Sequence, residues 1–229
     1  MNFMKFIKSA FAAAAFAAVM APASAAVVSL TFAGLNGNAQ EQPLDYYNGG
    51  LGGLGSGPGA NYGISIGVDA ITCTGQPGGT CNTAQIPGGP GANILFFLTG
   101  AGDIMNVAAG FDTGFAFYYS AAFNPGEVQV WSGLNGTGSL LALLSLPTTP
   151  NGSGDPGCFG TNFCPFSPIG VTFSGTAMSV NFSGTADQIA FADVTLGTDV
   201  PGVPEPGTYA LMLAGLGIVG YMARRRKAA

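Results

Sequence analysis

Between residues 26 and 200 the chain contains no Lys, Arg or His, and this absence limits its possible folds and functions more than any motif does. The six basic residues are Lys5, Lys8, Arg224, Arg225, Arg226 and Lys227, and the whole sequence has no His. Ten of the eleven acids, all but Glu205, fall in the cation-free stretch. No side-chain ion pair can form there. Each carboxylate must face water, accept hydrogen bonds from backbone N–H or uncharged side chains, or hold a metal ion. Nucleic acid is excluded as a partner, because binding it needs Lys and Arg to displace phosphate counterions. Anionic membrane surfaces are excluded on the same ground. Nucleophile schemes built on Ser, Cys or Lys also lack their base or cation.

The cations sit instead at the two ends, where they look like addresses. Lys5 and Lys8 precede an apolar run from Phe11 to Met20, followed by Ala21-Pro22-Ala23-Ser24-Ala25. Ala23 and Ala25 form the small-x-small pattern of a signal-peptidase site, which predicts a removable signal over residues 1–25 and a mature chain beginning at Ala26. The apolar run is well short of the ~20 residues that a membrane span needs. At the other end, residues 201–229 open with the stiff segment Pro201-Gly202-Val203-Pro204-Glu205-Pro206-Gly207. An apolar stretch from Thr208 to Ala223 follows, and Arg224 to Lys227 close it with the positive charge that stops translocation.

Residues 26–200 are long enough for one domain with a core. With 38 Gly and only 7% charged residues in the chain, its surface has to be built from small polar residues and backbone. Period-two alternation marks Tyr62, Ile64, Ile66 and Val68, then Val128 and Val130, then Met178, Val180 and Phe182. Further strands are expected at Val27 to Phe32, Asn93 to Leu98, Phe115 to Ala122, Ser139 to Leu146, Val171 to Ser174 and Gln188 to Leu196. Turns such as Asn124-Pro125-Gly126 and Asn135-Gly136-Thr137-Gly138 separate them. The expectation is an all-β antiparallel two-sheet sandwich of jelly-roll type with about nine or ten strands, flanked by a signal helix and a C-terminal hydrophobic helix. Two long loops, from about Gly34 to Ala60 and from Thr148 to Pro168, are expected to be functional or mobile.

Cys73, Cys81, Cys158 and Cys164 form an even set in an exported context, which favours disulfides. Both near-neighbour pairs sit in Gly/Pro-rich loops, so Cys73–Cys81 and Cys158–Cys164 are the expected pairings. Without His, and with seven and five intervening residues, they fit a zinc site poorly.

Three kinds of candidate chemistry stand out. Asp193 lies on the same face of an alternating strand as Ile189 and Phe191, where a buried carboxylate would need a counterion; structural calcium is the candidate. The competing expectation is a β-bulge after Phe191 that turns Asp193 outward and Val194 inward. Tyr46, Tyr47, Asn48 and Tyr62 combine aromatic faces with an amide, which suits carbohydrate. A glycosidase needs two carboxylates across a sugar, but Glu41 and Glu127 sit in no motif and read as solvated loop acids.

The tail resembles the PEP-CTERM sorting signal, a Pro-Glu-Pro motif followed by a hydrophobic stretch and a basic end. The matching parts are Val203-Pro204-Glu205-Pro206, Gly207 to Ala223, and Arg224 to Lys227. The resemblance implies processing by an exosortase in a Gram-negative bacterium that makes exopolysaccharide, with the helix held transiently in the inner membrane and then removed, much as a GPI signal is. The middle domain is similar to ectodomains that accompany such tails, through Tyr47-Asn48-Gly49-Gly50, Gly57 to Ile64, and Ser132 to Gly138. The reading is a non-enzymatic, exported protein of the cell surface or extracellular matrix with a structural or adhesive role, linked to exopolysaccharide. A secreted carbohydrate-binding module is the alternative, with a carboxylate-dependent glycosidase behind it.

Overall fold

Apolar alternation and glycine punctuation resolve into eleven strands among residues 27–200, the residues that the computed structural model describes. The signal segment, its cleavage residues and the sorting tail lie outside them. The strands are β1 (Val28–Leu30), β2 (Ile64–Ile66), β3 (Ala70–Thr74), β4 (Asn93–Phe97), β5 (Gly102–Phe111), β6 (Gly114–Ser120), β7 (Gly126–Trp131), β8 (Leu140–Leu146), β9 (Ser167–Thr172), β10 (Ala177–Gly184) and β11 (Ala190–Leu196). The expected sandwich is present, but β3 and β5 were not marked by alternation. Ala70-Ile71-Thr72-Cys73-Thr74 is short, and β5 carries Gly102, Asp103, Asn106 and Gly110, all poor strand formers. Pairing with β4 in one case, and with β2 and β10 in the other, overrides those propensities.

The connectivity is that of a long hairpin rolled up. β4 pairs with β11, β5 with β10, β6 with β9 and β7 with β8, all antiparallel. One sheet runs β3-β4-β11-β6-β9, with β1 added against β11; the other runs β2-β5-β10-β7-β8. This interleaving of two strand quartets is the double-sheet jelly roll.

The core fills the space between the sheets and is dominated by phenylalanine. Phe115, Phe117, Phe182 and Phe191 are buried and meet edge-on or tilted, with Phe182 and Phe191 ring centroids 5.0 Å apart. Each such ring contributes about 1.5–3 kcal/mol by leaving water. Met105, Val128, Val130, Val180 and Leu146 complete the layer.

The six-stranded sheet is covered on its outer face as well. Cys73, Ile86, Ile94, Phe96, Ala190 and Ala192 form a second apolar cluster there, which is why all of β4 and β11 is buried. Its cover consists of the loops that carry the two disulfides. Cys73 joins Cys81 and Cys158 joins Cys164, each with Cα atoms 5.8 Å apart. Ala84 packs on the second disulfide, and the Asn82, Asn151 and Asn162 amides bond one another between the loops.

Candidate functional site

The Gly34–Ala60 loop is ordered around one carboxylate, which corrects the reading of Glu41 as a solvated acid. Glu41 has no exposed surface. Its carboxylate accepts from Asn36 N at 2.7 Å, Leu54 N at 3.0 Å, Ser56 N at 3.0 Å and Ser56 Oγ at 2.6 Å. Its carbonyl accepts from the N–H and hydroxyl of Thr72 in β3, both at 2.8 Å. Burial alone would raise the Glu41 pKa, but these donors prevail and hold it below the ordinary value. Gly52 has to be glycine, since a Cβ there would lie 2.5 Å from Glu41 Oε1. The loop is therefore a clamp closed on an anion by uncharged donors, the arrangement that a cation-free domain requires.

The aromatic candidates do come together, but mostly as structure. Tyr47 is buried in the core, and its hydroxyl accepts from Phe32 N at 2.7 Å. Tyr46 donates to Ala33 O at 3.0 Å and meets Tyr47 edge-on at 5.1 Å. Tyr62 stacks on Tyr47 at 6.2 Å and is 42% exposed. Exposed Asn48 bridges to Asn61. Of the three tyrosines, only Tyr62 offers substantial surface to a ligand.

Asp193 combines features of both sequence expectations. The register of β11 against β6 slips between Ala192 and Thr195, so a bulge is present, Asp193 takes φ 46°, and Val194 turns into the core. The expected outward rotation does not bring Asp193 to water, however: it is 3% exposed. It sits where β11 changes partner from β4, paired at Phe191, to β1, paired at Val194. Asp193 Oδ2 has no hydrogen-bond partner among the described residues. Burial pushes its pKa up to about 6. Calcium takes six to eight oxygen ligands, commonly several carboxylates, and no group of three or more acidic, Cys or His side chains gathers among the described residues. The donor set at Asp193 therefore does not fit calcium. Protonation is the simpler way to neutralise the group.

A further surface was not marked in the sequence. The outer face of the five-stranded sheet has no loop layer over most of its width, and outward-facing residues meet there in register. Ile104, Asn181, Gln129 and Leu143 form one row across β5, β10, β7 and β8. Along β7, Trp131 Nε1 donates to Gln129 Oε1 at 3.2 Å, and Gln129 Nε2 donates to Glu127 Oε1 at 2.6 Å. The Ser132–Gly138 loop walls one side. It is tied down by Asn135 N to Asn106 Oδ1 at 2.7 Å, Asn106 Nδ2 to Asn135 Oδ1 at 2.8 Å, and Gly136 N to Ser179 Oγ at 2.9 Å. Asn135 and Gly136 both have positive φ, which explains the Asn-Gly pair in this turn. The opposite wall is the Gly67–Asp69 turn with Asp103, whose carboxylate accepts from Ala70 N and Ile104 N at 2.6 and 2.7 Å and so ties β3 to β5. Between the walls lies an open groove of about 620 Å³, with Ile104, Asn106 and Asn181 among its lining residues. Alternation along β7 and β10 was legible, but not which face of the sheet remains uncovered.

The geometry defines a jelly-roll sandwich with one sheet covered on both sides through its central strands β4 and β11 and one sheet presenting an open outer face. Its C-terminal segment is more specific: residues 202–227 match the family model of the PEP-CTERM protein-sorting motif, so the chain is an exported protein targeted to an exosortase. No curated protein sequence matches the chain. Among solved structures, it is similar to a glycoside hydrolase family 43 arabinoxylan arabinofuranohydrolase from Bacillus subtilis in complex with cellotetraose, at 20% identity and TM-score 0.34, over 50% of this chain and 23% of that one. It is similar to the K2 cleaved adhesin domain of Lys-gingipain at 8% identity and TM-score 0.41, over 75% and 99% of the two chains. A catalytic domain of GH87 α-1,3-glucanase in complex with nigerose gives 15% identity and TM-score 0.33, over 66% and 31%. With TM-scores below 0.5, none of these bears on what this chain does. Among the described residues no helix is long and apolar enough to cross a membrane.

Proposed function

We propose that this chain is a non-enzymatic structural or adhesive protein of the cell surface or extracellular matrix, associated with exopolysaccharide. Signal peptidase cuts it after Ala25, and an exosortase cuts near Pro204-Glu205-Pro206 once the hydrophobic segment has delivered it to the inner membrane. The observation that carries this reading is the sorting-motif match over residues 202–227. Two features of the domain support it. Its 26–200 segment has neither the base nor the cation of a nucleophilic site, and Glu41 is committed to its loop by four hydrogen bonds.

The test is a comparison of cells with and without exosortase. The account expects the chain in the matrix fraction of the first and an uncut, membrane-held form in the second. Identical fractionation in both would remove the reading.

A further inference from the structure

We propose that the outer face of the five-stranded sheet, between the Ser132–Gly138 loop and the Gly67–Asp69 turn, binds an uncharged polysaccharide through Trp131, Gln129, Asn181 and Ile104. This deepens the surface-protein reading and rests on it for the setting in which the polymer is met.

The face has the chemistry of a sugar surface. A polysaccharide presents hydroxyls that both donate and accept, alternating with apolar C–H patches. Amide side chains answer the first and indole or aliphatic groups the second. The row Ile104–Asn181–Gln129–Leu143 crosses four neighbouring strands, a span of roughly 14 Å at about 4.8 Å per strand. That length suits a short run of a linear chain better than a single small molecule. The Asn181 side chain makes no hydrogen bond within the described residues, whereas the Asn106 and Asn135 amides beside it are engaged with each other. Asn181 is thus the amide wholly left for a ligand, and Gln129, with one bond at each amide atom, keeps a second N–H and a second lone pair to offer. Gln129 is held by Trp131 on one side and Glu127 on the other, which fixes its orientation before any ligand arrives. The wall is close: a Cβ on Gly136 would lie 3.6 Å from Ile104 Cδ1 and 4.0 Å from Trp131 Nε1.

Charge decides between classes of polymer. With ten carboxylates and no cationic side chain between residues 26 and 200, the domain repels polyuronates and other polyanions. Asp69 and Asp103 put part of that charge at the groove itself, and Glu127 adds to it on the open sheet beside Gln129. An uncharged glycan meets no such barrier, and carboxylates accept its hydroxyl hydrogens strongly.

Trp131 is the only tryptophan in the chain, so fluorescence excited at the red edge, beyond tyrosine absorption, reports on this face alone. The processed protein should be titrated with soluble dextran, mannan, a mixed-linkage β-glucan and arabinan, and with alginate as the polyuronate. The proposal expects a saturable change in Trp131 emission with at least one uncharged polymer and none with alginate. Asn181→Ala and Gln129→Ala should each weaken binding about tenfold, the equivalent of one well-placed hydrogen bond, with unchanged melting temperature. Tyr62→Ala should leave affinity as it was. Silence toward all four uncharged polymers would overturn the proposal, as would equal affinity for alginate, or binding that survives Asn181→Ala with Gln129→Ala but is lost in Tyr62→Ala. The mass of the secreted chain reports on sorting independently. A correctly trimmed protein that ignores every uncharged glycan therefore sinks this inference and leaves the surface-protein reading standing.

Discussion

The six-stranded sheet is buried on both faces along β4 and β11, though not at its edge strand β9, whereas the five-stranded sheet is buried on one. The difference follows from the loops. Those carrying Cys73–Cys81 and Cys158–Cys164 fold back over Ile94, Phe96, Ala190 and Ala192 and seal the first sheet. Over the second sheet, the Ser132–Gly138 turn covers only one end, and the strands alternate cleanly between core residues such as Val128 and Val130 and outward residues such as Glu127, Gln129 and Trp131. A domain without cations cannot cover its sheets with ion-paired helices or basic loops. It covers one with cross-linked Gly-rich loops and leaves the other polar, so stability is concentrated on one side and free surface on the other.

Substitutions should separate the two sides. The largest effect is expected where uncharged donors converge on an anion: Glu41→Ala leaves four donors unpaired next to β3 and should cost about 3–5 kcal/mol in chemical denaturation. An unchanged denaturation midpoint would mean that the loop clamp contributes nothing.

Asp193, at the partner change in β11, gives the next effect. Its folded pKa of about 6 lies above the ordinary 3.8, so folding favours the protonated form. The Asp193 contribution to stability should be fully present below about pH 4 and be lost as pH rises through about 6, by about 3 kcal/mol in all. Asp193→Asn should flatten that slope in urea melts between pH 4 and 7.5. Glu41 works in the opposite sense: its lowered pKa adds stability above the unfolded value of 4.5, and that stability is lost as pH falls through the folded value. The two slopes are separable by the single variants.

Smaller again is the disulfide contribution. Removing either Cys pair by substitution to Ala should cost about 2 kcal/mol and expose the outer face of the six-stranded sheet to a hydrophobic dye. On the open sheet, Asn181→Ala and Gln129→Ala should shift stability by less than about 0.5 kcal/mol, since neither residue supports a packed layer. A large loss there would show that the bare face is structural after all.

Much of the sandwich was legible in the sequence because alternation, β-branched runs and glycine turns point the same way at β2, β7, β10 and β11. β5 was not, since its Gly, Asp and Asn residues pair only because β2 and β10 hold them. The disulfide pairs followed from proximity. The tyrosine cluster was visible as composition, but burial of Tyr47 depends on where the chain carries Phe32 just past the end of β1, which no local pattern encodes. Glu41 was misread for a related reason: its donors at Leu54 and Ser56 come from a later turn of the same loop, and a carboxylate's partners cannot be counted until that loop closes. The bulge at Asp193 could be anticipated, whereas its burial could not, because the change from β4 to β1 beside it is a tertiary event. The groove face was hidden because periodicity shows that a strand has two faces but not which one the loops will cover.

Everything functional here depends on the final segment of the chain being an address that is removed after use. Intact mass spectrometry of the natural protein, recovered from the cell surface or the medium, tests this most directly. The account predicts a chain that starts at Ala26, lacks Arg224 to Lys227, and is four hydrogens lighter than its reduced form. A recovered chain that still carries the apolar stretch and its basic end would contradict it.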